Sequence, residues 1–327
     1  MPGRRLIVVG LAAALVLGAP TTAMADRGPG GASVGRFDRP QPGFASPRTE
    51  LRTSTPSRAG LDTAALDAAW RAVEGYTRPQ ATGRPLYPGA VLSYGHQGRV
   101  VLTRATGWSR LYADGAGTQL PAADRVETRT DTIYDLASVS KLFTSIVVMQ
   151  QVEAGRVELD APVARYLPEF SQHSAASPYA KDRVTVRQLL THTSGFPAFL
   201  PLWRDHPDPA SRLRAAVTAD LTAEAGTRYL YSDLNLITLG ALVSKVSGKT
   251  LDVLVTDGIT RPLRMRDTGY NPTDRVRRDR IAATEFQAVP DRGMVWGEVH
   301  DENAWSFGGV AGHAGVFSTA RDLGILA

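Results

Sequence analysis

The 327-residue chain contains no cysteine. Disulfide staples, zinc–thiolate sites and a cysteine nucleophile are therefore excluded together. Lysine is scarce too: there are four (Lys141, Lys181, Lys245, Lys249) against 33 arginines, so a lysine inside a motif carries weight. No concentrated basic patch stands out. The net charge of +5 falls to +3 once Arg4 and Arg5 are set aside, and the cluster Arg275, Arg277, Arg278, Arg280 reads as a solvated loop. No nucleic-acid partner is expected from this pattern. A membrane-spanning run is also lacking. The apolar stretch Leu6–Leu17 has 12 residues, short of the roughly 20 that a spanning helix needs.

That short run does have a use. Arg4 and Arg5 precede it, and Ala23-Met24-Ala25 follows before Asp26. This is the layout of a secretory signal peptide over residues 1–25, cleaved after Ala25, and it predicts a secreted or cell-envelope location. Residues 26–58 are rich in Gly, Pro, Ser and Arg with few large apolar groups. They read as a flexible linker, because such a segment cannot bury enough surface to offset its ordering entropy. Residues 59–327 are read as the folded domain.

Within that domain, "LDTAALDAAWRAV" offers Asp62 as an N-cap, with Leu61 and Leu66 spaced as a hydrophobic staple. "GAVLSYGHQGRVVLTRATG" reads as two strands about a Gly-His-Gln-Gly turn. Thereafter helices dominate. Residues 138–154 are apolar on nearly every face and predict a central buried helix ending at Gly155. "VTVRQLLTHTSGFP" predicts a short helix running into a loop, and "LNLITLGALVSKVSG" a helix stopped at Gly248. A hairpin followed by helices predicts an α+β fold, with helices packed on an antiparallel sheet.

The chemistry-bearing stretch is Ser138-Val139-Ser140-Lys141. Residues i and i+3 share a helix face, so the Ser138 hydroxyl and the Lys141 amine come within hydrogen-bonding reach. In the first turn, unpaired N–H groups favour developing negative charge. A neutral amine can act as the base for a serine nucleophile, and an apolar surrounding disfavours the charged form of an amine. An ordinary helix cap with a surface lysine fits the same letters. Tyr231-Ser232-Asp233 precedes another apolar helix, and a tyrosine beside a lysine can shuttle a proton. A half-buried core tyrosine is the commoner use of that residue.

Four blocks, "ASVSKLFT", "VRQLLTHTSGFP", "YSDLNLITLG" and "GGVAGHAGVFSTARDL", occur in an order and spacing that resembles the serine β-lactamase and DD-peptidase superfamily in its class C-like branch. "GEVHDENAWSFGGVAGHAGVFSTA" is similar to that branch's periplasmic DD-carboxypeptidase-like penicillin-binding proteins. The resemblance covers roughly residues 60–327 and implies an antiparallel sheet flanked by helices, with a helical subdomain. It implies acylation of Ser138, with Lys141 as its proton partner, Tyr231 as general base and Asp233 as a substrate-positioning residue. A β-lactam, a D-Ala-D-Ala-type peptide from peptidoglycan or a small ester would be the substrate of a monomer using no cofactor. The rival expectation is a non-catalytic penicillin- or muropeptide-binding protein, or an inactive truncated homologue.

Two departures from the pattern matter. The family usually carries Asn where this chain has Asp233, and an ionised carboxylate can only accept hydrogen bonds. The family's third motif, Lys- or His-x-Gly on a strand facing the serine, has one match in letters, His313-Ala314-Gly315. It precedes "VFSTARDL", where Thr319 and Asp322 have capping-box spacing, whereas in relatives the third motif comes later. His313 is therefore read as a structural loop residue, and the family domain as lacking its C-terminal strands and final helix. His192 is likewise read as structural. His300, Asp301 and Glu302 are adjacent and lack zinc-ligand spacing, so no metal is expected.

Overall fold

A computed structural model describes residues 51–175 and 177–327. The predicted signal peptide and all of the predicted linker up to residue 50 lie outside the described residues. Among those described, no helix is long and apolar enough to cross a membrane.

In chain order the elements are β1 (Arg52–Thr53), α1 (Thr63–Tyr76), β2 (Gly89–His96), β3 (Arg99–Arg110), β4 (Val126–Glu127), β5 (Tyr134–Asp135) and α2 (Ser140–Glu153). Then follow α3 (Val186–Leu190), α4 (Leu202–Asp205), α5 (Pro209–Thr218), α6 (Asp233–Ser247) and α7 (Leu251–Val255). The last are β6 (Ala283–Gln287), β7 (Gly293–Trp296), α8 (Glu302–Ser306), β8 (Phe317–Ser318) and α9 (Ala320–Leu326).

β2 and β3 pair antiparallel from Gly89↔Gly107 to His96↔Arg99. The two turn residues, Gln97 (φ 47°) and Gly98 (φ 73°), are both left-handed. That is the type I′ geometry whose twist matches a two-residue hairpin. β1 adds to β3 in parallel and β4 antiparallel. Arg52–Thr53 thus pairs in the sheet although it falls in the stretch read as linker. The Asp62 side chain accepts from the Ala64 N–H at 2.8 Å and caps α1 as its position predicts.

The main core lies between α2 and α6. Phe143, Val147 and Val148 of α2 and Leu234, Leu239, Leu242 and Val243 of α6 are fully buried. Each such side chain contributes about 1.5–3 kcal/mol on burial, against a few tenths for most differences in helix propensity. Packing therefore decides where α2 sits. The helix is not covered all round, however. Leu142 and Met149 are 57% and 45% exposed, and Val139 in the turn just before the helix is 44% exposed; α2 meets α6 on one face, and its apolar composition does not distinguish that face from the other. Gly248 ends α6 at φ 70°, as its position predicts.

The loop from Gly308 to Val316 is wedged between these two helices. Thr144 Oγ1 donates to the Gly312 carbonyl at 2.7 Å, and the Val316 N–H donates to Ser140 Oγ at 3.0 Å. A Cβ on Gly312 would collide with the Leu236 carbonyl of α6, so only glycine permits this approach. Downstream, β8 pairs with β5 through Tyr134↔Ser318 and Asp135↔Phe317. The predicted capping box at α9 forms by half: Thr319 Oγ1 accepts from the Asp322 N–H at 3.2 Å. The Asp322 carboxylate instead accepts from the Asp267 N–H and the Thr268 hydroxyl, both at 2.9 Å. A tertiary donor pair has outcompeted the local backbone N–H.

Candidate active site

β5 ends at Asp135, whose Oδ1 accepts from the Ala137 N–H at 2.8 Å. Ala137 is left-handed (φ 45°), a conformation that costs a Cβ-bearing residue energy unless its surroundings hold it. Ser138 follows in a 3₁₀ turn, Ala137–Val139, that leads directly into α2. The serine is exposed, while Lys141 one turn on is 8% exposed.

The Lys141 Nζ donates to Ser138 Oγ at 2.9 Å and to the His313 carbonyl at 3.0 Å, and it pairs with Asp233 Oδ1 at 2.8 Å. An ammonium has three protons, and three acceptors meet them here. In this arrangement Lys141 is a donor to the serine. Tyr231 presents its ring to the ammonium, 4.8 Å from Nζ to the centroid. The sequence-predicted residues Ser138, Lys141, Tyr231 and Asp233 are thus brought together, but no hydrogen bond joins the Tyr231 hydroxyl to Ser138 among the described residues.

Behind Tyr231 stands His192, their ring centroids 4.7 Å apart. His192 Nδ1 accepts from the Ser232 N–H at 3.1 Å and from Asn235 Nδ2 at 3.0 Å, so the ring proton sits on Nε2. Asn235 Oδ1 in turn accepts from the Ser194 hydroxyl at 2.6 Å. Burial first, and then the Lys141 charge, hold the His192 pKa below its ordinary value, against the opposing pull of Asp233. The "HTSG" loop and the start of α6 are locked by this relay, which sets the angle of Tyr231 and Asp233. The loop letters of His192 and Ser194 carried only a structural signal in sequence.

The His313 ring is buried and engaged elsewhere: Nε2 lies 2.8 Å from Asp301 Oδ1. What His313 contributes to Lys141 is its main-chain carbonyl, a role that no letter in the motif encodes. Asp301, Asp233 and His313 each bring a metal-type donor atom, all within 4.8 Å of one another. This proximity was invisible in sequence, where Asp301 had only His300 and Glu302 as neighbours. Lys141 already supplies the positive charge on Asp233, and the His313 ring is committed to Asp301, so the donor set does not fit a metal ion well. Burial disfavours the ionised form of Asp301, but the His313 hydrogen bond and charge and the Ala304 N–H outweigh it and hold its pKa at about 2. Asp301 therefore only accepts, and His313 Nε2 carries the proton.

A turn bearing an exposed serine, a buried lysine in contact with it and a tyrosine–aspartate pair at the start of α6 make a site of hydrolase type on an α+β scaffold. Comparison with known proteins agrees with that class. Residues 79–327 match the Beta-lactamase family, and the chain belongs to it. It is 32% identical over 262 residues to the N-acetylmuramyl-L-alanine amidase of Bacillus subtilis (strain 168), covering 73% of this chain and 58% of that protein. A Salmonella schwarzengrund (strain CVM19633) protein, provisionally named D-alanyl-D-alanine carboxypeptidase, is 30% identical over 304 residues, 86% of this chain and 68% of its own. The class C β-lactamase from Rhodobacter sphaeroides superposes with a TM-score of 0.57 at 26% identity, covering 81% of this chain and 64% of that one. The chain thus spans under two thirds of the length of the Bacillus relative and of the Rhodobacter structure. Its fold is that of the serine β-lactamases and penicillin-binding proteins.

Proposed function

We propose that this protein is an exported serine hydrolase that forms an acyl-enzyme at Ser138. Ser138 Oγ attacks a carbonyl carbon, its proton passes to the phenolate form of Tyr231 or to a neutral Lys141 amine, and that group returns the proton to the leaving amine or alcohol. Water then cleaves the new ester and frees the serine. The observation that carries this reading is the 2.9 Å contact of Lys141 Nζ with Ser138 Oγ at a helix start. A D-Ala-D-Ala-type peptide, a β-lactam or a small ester are the substrate classes, the first two supported by the names of the relatives. Export is supported by the residue pattern of positions 1–25.

A second reading, a penicillin- or muropeptide-binding protein without turnover, draws on the donor state of Lys141 and on Asp233 in place of an amide. A fluorophosphonate or fluorescent penicillin should label the wild type and not Ser138→Ala. Turnover of a chromogenic ester alongside labelling supports the hydrolase, and labelling without turnover supports the binder. A folded wild type that takes up neither probe refutes both.

A further inference from the structure

We propose that the dipeptide His300-Asp301 is a brace that aligns the two halves of the Ser138–Lys141 pair, with Asp301 and His313 as its positioning residues on the lysine side. The inference rests on the reading of Ser138 as nucleophile, and nothing in the motif letters points to it. One arm of the brace runs to the serine. The His300 N–H donates to Asp135 Oδ2 at 2.8 Å, and the other oxygen of that carboxylate takes the Ala137 N–H at 2.8 Å. The Asp135 side chain is 1% exposed, so water does not compete for either bond. This carboxylate holds Ala137 in its left-handed conformation and so sets the direction in which Ser138 leaves β5.

The other arm runs to the lysine. Asp301 Oδ1 accepts from the Ala304 N–H at 2.8 Å as the cap of α8, and meets His313 Nε2 at 2.8 Å. That bond fixes the buried His313 ring, and with it the carbonyl that receives Lys141 Nζ at 3.0 Å. Because adjacent residues carry the two arms, the peptide unit between them ties the serine's position to the lysine's. A displacement of about 1 Å in such a pair costs of order 100-fold in rate, which is the scale on which the brace acts.

The test is the rate of fluorophosphonate labelling, separated into the maximal rate kinact and the half-saturating concentration KI. Asp301→Ala and His313→Ala should lower kinact about tenfold or more with KI within about twofold of wild type. Asp301→Asn, which keeps an acceptor oxygen, and His313→Gln, whose amide can donate to Asp301, should recover most of that loss. A merely structural role would lower the fraction of active protein and leave kinact of the folded fraction unchanged. Unchanged kinact in the alanine variants, an effect in KI alone, or no recovery in the conservative variants overturns the proposal. If the alanine variants do not fold, the Asn and Gln variants decide, since slow labelling in them at a wild-type melting temperature also overturns it. Failure of the wild type to label, or labelling of Ser138→Ala, would instead overturn the proposed function.

Discussion

Asp233→Asn exchanges one carboxylate oxygen for an NH₂ beside Lys141, where the proposed function places an incoming substrate. The wild-type pair is well shielded, with side-chain exposures of 9% for Lys141 and 18% for Asp233. Removing one partner from a buried pair costs about 3–5 kcal/mol when the other charge is left alone. Here it is not left alone: asparagine keeps an oxygen for Nζ, and Ser138 Oγ and the His313 carbonyl remain. The loss is then the weakening of one charge-assisted bond to a neutral one, about 1–2 kcal/mol. At about 2–4 °C per kcal/mol, the melting temperature falls by a few degrees. Against that, the new NH₂ can donate to a carbonyl beside the scissile bond, which a carboxylate repels. One such bond is worth about 1.4 kcal/mol, or roughly tenfold in rate. The assay is kcat/KM for an acylated D-Ala-D-Ala peptide or a β-lactam, which carry that carbonyl, relative to p-nitrophenyl acetate, which does not. The ratio should rise about tenfold in the variant. An unchanged ratio would refute the assignment of Asp233 as a substrate-positioning residue.

Two further predictions concern one buried and one half-buried titrating group. Lys181 is fully buried, donates to the Val217 and Ala219 carbonyls at 2.7 and 2.8 Å, and lies over Phe170 and Phe196. Burial pushes its pKa down from 10.5 to about 8, against the opposing charge of Asp220. A lowered folded value means stability that is fully present above 10.5 and lost as pH falls to 8, about 3 kcal/mol in all. Urea unfolding of Lys181→Met should lack that slope, and a slope equal to wild type would exclude Lys181 as its source. His192, with its folded pKa lowered from 6.5, contributes stability present above 6.5 and lost as pH falls through the folded value. His192→Asn keeps an acceptor for Ser232 and tolerates the left-handed backbone at φ 55°. It should lose the acid-side step in stability, and persistence of that step would show that another group titrates there.

Local features were legible because their causes are local. The Asp62 cap, the hairpin turn and the glycine stop of α6 each depend on a few adjacent residues, and each formed as read. The Ser138–Lys141 contact belongs with them, since three residues of helix suffice to bring hydroxyl and amine together. The Thr319–Asp322 box and the exposure of Val139, Leu142 and Met149 went otherwise because distant partners, or their position relative to α6, decided them. Asp301 was passed over for the same reason: its neighbours in sequence are not its neighbours in space.

Residue order alone was enough for the fold class, the Ser138–Lys141 contact and the helix start beside which Tyr231 and Asp233 stand, since short-range geometry and four ordered motifs suffice for these. Long-range packing gives Lys141 its three acceptors, sets the ring of Tyr231 against it, and brings the His313 carbonyl rather than its imidazole to the site. Those contacts join residues up to 172 positions apart. They are set by a glycine loop fitting between two packed helices, and no local propensity encodes which backbone carbonyl that fit will turn toward the lysine.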